Sequence, residues 1–241
     1  MAKHISRQEL KTDQVQEALS HSAEAVLSHQ TALIYVVVAA LIVAAGVFGW
    51  RVYSQRQSVK ASAGLNDALQ IFQAPTLTAG QTPQPNEISY SDSSKKYQDA
   101  LKKFEDVASQ YPRTRGGQLA DYYSALCLER LNQNAQAIAR LSKIQDSSHH
   151  DFAAMARFEL AQIYDHSGNG NQAVQLYNEL IKNPSVLAPK PMVMLALAEH
   201  YRQSDPAQAA RIFNQIKSEY PDTGAADQAD QELALLPAGK S

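Results

Sequence analysis

Three stretches of this 241-residue chain carry side chains able to do chemistry. In QDSSHHDF, His149, His150 and Asp151 are all metal-ligating types. Consecutive residues on a helix or turn diverge, so they do not converge on one ion, and the stretch reads as an inter-helix loop with Asp or Ser capping the next helix. In HSGNGN, beginning at His166, the glycines resemble a phosphate cradle, but that loop needs a strand before it. Here the preceding period is helical, and Gly and Asn supply left-handed turn conformations instead. Cys127 lies between Leu126 and Leu128 with no base at helical spacing, which marks a packed core residue rather than a nucleophile. It is the only cysteine, so an intramolecular disulfide and a thiolate metal cluster are excluded. No catalytic, cofactor or metal constellation emerges, and the chain reads as a binder rather than an enzyme.

Charge narrows what it binds. Lys and Arg total 22 against 24 Asp and Glu, and no basic face of the kind a nucleic-acid partner needs is visible.

The elements that carry any binding surface start with an apolar stretch. Residues 31–50, TALIYVVVAALIVAAGVFGW, contain no charge, and 20 residues at about 1.5 Å each match a hydrocarbon layer roughly 30 Å thick. Tyr35, Trp50 and Tyr53 sit at the two ends, where amphipathic rings settle. The run is too long for a signal peptide, and the nearest Ala-x-Ala, at 61–63, lies well beyond it, so an uncleaved single-pass anchor is expected. Lys3, Arg7 and Lys11 on one side balance Arg51, Arg56 and Lys60 on the other, leaving orientation open on charge alone.

Around the span, residues 1–30 read as a short juxtamembrane helix opened by a capping box at Ser6–Glu9. Residues 51–73 continue the helix, with Leu65, Leu69 and Phe72 on one face. Residues 74–94, rich in Pro, Gly, Ser and Thr, form an expected mobile loop. Residues 95–236 are helical in period throughout, and 237–241 form a tail.

Within 95–236 one pattern recurs. Ala100, Phe104, Val107 and Pro112 are answered by Ala137, Leu141 and Ile144, by Ala173, Tyr177, Leu180 and Pro184, and by Ala209, Phe213, Ile216 and Pro221. The alanines are 37, 36 and 36 residues apart, a spacing that marks stacked helical hairpins. A partner helix precedes each later copy, with Ala125 and Leu128, Ala161 and Tyr164, Ala198 and Tyr201. These residues resemble the tetratricopeptide repeat family, in which small residues let helices A and B approach and large ones fill the gap. Departures are Asp121, Arg157 and Met194 at the usual Trp position of helix A, and a shortened turn at Ser204–Pro206. The 57–73 helix stands in for the missing first helix A. The expected fold is all-α: a transmembrane helix, an α-solenoid of about four hairpins, and a capping helix from Ala225 to Leu236 whose Asp227, Asp230 and Glu232 face solvent.

The resemblance implies a peptide-binding groove on the A helices. Its positions fall on Leu119, Tyr122, Leu126 and Arg130, on Met155, Phe158, Gln162 and Asp165, and on Met192, Leu195, Glu199 and Arg202. Tyr122, Phe158 and Leu195 would be the anchors, with Leu119 and Met155 equally placed for inter-repeat packing. The order of elements, with GVFGWRVYSQRQ ending the span and YQDALKKFEDVASQYP after the loop, also resembles the ancillary subunits of the SecYEG translocon. That resemblance implies a bacterial inner-membrane adaptor, its repeat domain periplasmic, linking the export channel to chaperones. The alternative is a scaffold for envelope assembly or cell division.

Overall fold

The computed structural model describes residues 30–78, 88–147 and 149–236. The capping box at Ser6–Glu9, the juxtamembrane helix, the middle of the 74–94 loop and the tail lie outside these residues. The chain divides into two compact units, Met1–Gln57 and Ser58–Ser241.

Helix α1, Gln30–Gln73, begins in the first unit and ends in the second. From Ile34 onward it is long and apolar enough to cross a membrane, and none of its most apolar window is buried. Ile34, Leu41, Val43, Phe48 and Trp50 are all exposed on it. Over residues 34–50 the helix is apolar on every side and buries none of that surface among the described residues, a composition suited to hydrocarbon.

The second unit holds the last turns of α1 and, among the described residues, eight further helices: α2 Ser93–Gln110, α3 Arg115–Arg130, α4 Asn134–Gln145, α5 His150–His166, α6 Gly170–Lys182, α7 Lys190–Ser204, α8 Pro206–Glu219 and α9 Gly224–Leu235. Helices α3, α5 and α7 are the A helices of the last three hairpins, and α4, α6 and α8 their B helices. The repeated alanines explain the stacking. Ala100, Ala137, Ala173 and Ala209 on the B side and Ala125, Ala161 and Ala198 on the A side are all fully buried, leaving room for backbones to close in. Phe104, Leu141, Tyr177 and Phe213 fill the space above them, each such burial contributing about 1.5–3 kcal/mol. The expected stand-in for a first helix A is observed: Ala61, Leu65 and Ala68 of α1 share a core with Ala100, Phe104 and Val107 of α2, and the Phe72 ring meets Tyr97, Phe104 and Tyr123 edge-on.

The three departures at the helix A Trp position do three different jobs. Asp121 pairs with Arg140 at 3.3 Å, Arg157 donates to the Gln145 carbonyl at the end of α4, and Met194 is buried. The repeat also extends past its proline. In YPRT and YPDT, Thr114 and Thr223 each donate to the preceding tyrosine carbonyl and accept the amide three residues on, so one hydroxyl closes a helix and opens the next.

Turn chemistry follows length. Asn132 (φ 60°) and Gly168 (φ 77°) occupy the same place in two A-to-B turns, and Asp205 alone joins α7 to α8, its carboxylate accepting the Gln208 amide. Three local expectations change. The ends of the 74–94 loop are pinned by a bridge between Thr76 and Tyr90 and by Lys96, whose Nζ donates to the Ala74 carbonyl. Helix α5 already begins at His150, after His149, which caps it without a side-chain hydrogen bond. Finally, Glu232 does not simply face solvent: it bonds Arg202 of α7.

Candidate protein-binding groove

Successive A helices are tied by one polar contact at each step. The Tyr122 hydroxyl on α3 donates to Glu159 Oε1 on α5 at 2.7 Å. Asp165 Oδ1 on α5 meets His200 Nδ1 on α7 at 2.5 Å. Arg202 on α7 donates to Glu232 on α9 at 3.2 Å and also pairs with Glu199. Burial pushes the Glu159 carboxyl up, against the opposing pull of the Tyr122 hydrogen bond, and burial with the Glu159 charge pushes the Tyr122 hydroxyl up. The first two pairs lie 37 and 35 residues apart, close to one repeat, so each is a pair written once across neighbouring copies.

The twelve predicted groove residues separate into groups. Phe158, Gln162, Asp165, Met192, Leu195 and Glu199 border one cavity of about 410 Å³. Its walls come chiefly from α5 and α7, with Tyr177 of α6 and Phe213 of α8, and α9 supplies Gln228 and Glu232. Leu195 and Gln162 are half-buried there, and Glu199 is exposed. Arg202 stands behind it, bridging Glu199 and Glu232. Tyr122, Leu126 and Arg130 are not part of this cavity: Tyr122 is buried, Leu126 half-buried against the same core, and Arg130 exposed.

Burial distinguishes the anchors. Tyr122 and Phe158 are both core, Tyr122 through its bond to Glu159 and Phe158 through edge contact with Tyr177 at 6.1 Å. Leu195 is the expected anchor that keeps accessible surface. Leu119 and Met155 pack partly buried against the core of the α3 to α5 region.

The polar ties were missed from sequence, because Glu159, His200 and Glu232 are ordinary surface types. The 36-residue spacing was the available signal: Tyr122 and Glu159, or Asp165 and His200, differ by close to one period. Cys127 is wholly buried, and burial raises its thiol to about 12, as fits a packing residue. His150 and Asp151 reach the 184–186 turn, where Asp151 accepts the Val186 amide. Among the described residues no group of three metal-ligating side chains comes together.

Comparison with known families agrees with the architecture. The model of the tetratricopeptide repeat-like domain matches residues 27–185, and that of the tetratricopeptide repeat matches residues 192–223. No curated protein and no solved structure matches the chain. With its paired helices, its buried alanines at a nearly constant interval and a match over well more than half its length, the chain belongs to the tetratricopeptide repeat-like domain family.

Proposed function

We propose that this chain is a membrane-tethered, protein-binding adaptor of the bacterial inner membrane, presenting its repeat groove on the periplasmic side near the protein-export channel and its chaperones. The observation that carries the binding role is the cavity among α5, α7 and α9, where half-buried apolar side chains lie beside fixed carboxylates. Repeats of this kind serve as protein-interaction modules, and a cleft mixing apolar and charged walls suits a peptide segment. The tether rests on the exposed, charge-free 31–50 stretch of α1. The export-channel setting rests on the resemblance in element order.

The domain organisation follows the same reading: an anchor at 31–50, a connecting helix at 51–73, a loop at 74–94 and a binding domain at 95–236. Covalent cross-linking in intact membranes, followed by identification of the captured proteins, tests the setting. Translocon subunits or periplasmic chaperones are the expected captures. Division or outer-membrane assembly proteins would replace this reading with a scaffold. Protease added to right-side-out spheroplasts should remove a C-terminal tag, and protection there would move the binding domain to the cytoplasmic face.

A further inference from the structure

Tyr177 of α6 is 1% exposed. Its hydroxyl bonds to no described residue, yet no buried side-chain oxygen or nitrogen among the described residues is left without a partner. The hydroxyl therefore accounts for the small accessible surface that Tyr177 keeps, and Tyr177 lines the cavity between α5, α7 and α9. A phenol oxygen without a protein partner in a cleft of mixed apolar and acidic lining has hydrogen-bonding capacity left for a ligand.

Carboxylates outnumber the fixed cations around it. Asp165, Glu199 and Glu232 line the cavity together with His166, and the lining contains no lysine or arginine. His200 holds one oxygen of Asp165, and Arg202 holds one oxygen each of Glu199 and Glu232. The second oxygen of each carboxylate has no described partner, and Arg202 is shared between two acids, so negative charge remains in excess. Burial first, and then the charges of Asp165 and Glu159, push the Tyr177 hydroxyl well above its ordinary range. Met192, Leu195 and Phe158 supply apolar wall beside these groups.

Resting on the groove reading above, we infer that this cavity takes a lysine or arginine side chain from an extended partner segment that also carries a large apolar residue. The cationic end meets Glu199, Glu232 and the Tyr177 oxygen, and the methylene stem lies along Met192 and Leu195. Long basic side chains routinely divide in this way between apolar wall and charged end.

The test is selection of a randomised nonapeptide display library on the full chain in lipid nanodiscs, with empty nanodiscs as background. Enrichment of Lys or Arg next to a large apolar residue is expected. In the enriched peptide, replacing the basic residue by norleucine should weaken binding about tenfold or more. Tyr177→Phe and Glu199→Gln should each weaken the basic peptide roughly threefold or more and leave the norleucine peptide unchanged. Glu199 bonds only within its own helix, so its variant keeps the fold. Enrichment of apolar residues without a basic one, or full affinity in both variants, overturns the basic-residue inference and leaves the groove standing. No enrichment over empty nanodiscs removes the groove itself, and this inference with it.

Discussion

Tyr122 on α3 and Glu159 on α5 are joined by a 2.7 Å hydrogen bond in a mostly buried setting. Losing the donor leaves an acceptor desolvated without a partner, which costs about 1–3 kcal/mol. Tyr122→Phe should therefore lower the melting temperature of the Ser58–Ser241 fragment, whereas a role in partner contact alone would leave the melt unchanged.

The acceptor makes a pH prediction. Burial raises the Glu159 carboxyl in the folded chain, so the folded state holds its proton at a pH where the unfolded state has lost it. Stability from this group is present below the unfolded value and falls as pH rises through the folded one. Glu159→Gln keeps an acceptor and removes the charge. It should raise the melting temperature at neutral pH and change it little in acid, as melts across a pH series would show.

Overpacking tests the repeat frame. Ala161 and Ala173 are fully buried where helices close on one another. Leucine at either position should cost about 1–3 kcal/mol, read as a lower denaturant midpoint. Unchanged midpoints for both would contradict the frame.

Two glycines separate space from backbone conformation. A Cβ at Gly117 would lie 1.9 Å from the Tyr111 carbonyl oxygen, whereas one at Gly168 meets nothing within 4 Å but sits at φ 77°. Gly117→Ala should shift the α2–α3 packing and cost more than Gly168→Ala, for which about 1 kcal/mol is expected. Chemical denaturation of the two variants side by side gives the order.

Leu195 and Phe158 should part company in the groove. Phe158→Ala empties core and should cost about 3–5 kcal/mol of stability. Leu195→Ala truncates a half-buried wall and should weaken capture of the enriched peptide with a smaller loss of melting temperature. Melting and affinity measured on the same preparations decide whether Leu195 is an anchor.

The helices and their stacking were legible because they follow from spacing. Alanines at a nearly constant interval and a charge-free run of 20 residues each carry their own physical reason. Side-chain destinations were less legible. Tyr122 and Phe158 looked like anchors from their place on helix A, but a phenol within reach of Glu159 and a ring within reach of Tyr177 are drawn into the core. Glu232 looked like a solvated cap residue until the neighbouring Arg202 gave it a partner. Such pairings depend on which helix faces which, and that comes only from the assembled stack.

Asp205 ends α7 and caps α8 with no residue to spare. Where Asn132 and Gly168 sit in longer turns with slack on either side, this junction gives the two helices no way to fray apart. Amide hydrogens at the end of α7 and the start of α8 should therefore exchange with deuterium together, as one opening event. An inserted residue after Asp205 would uncouple them.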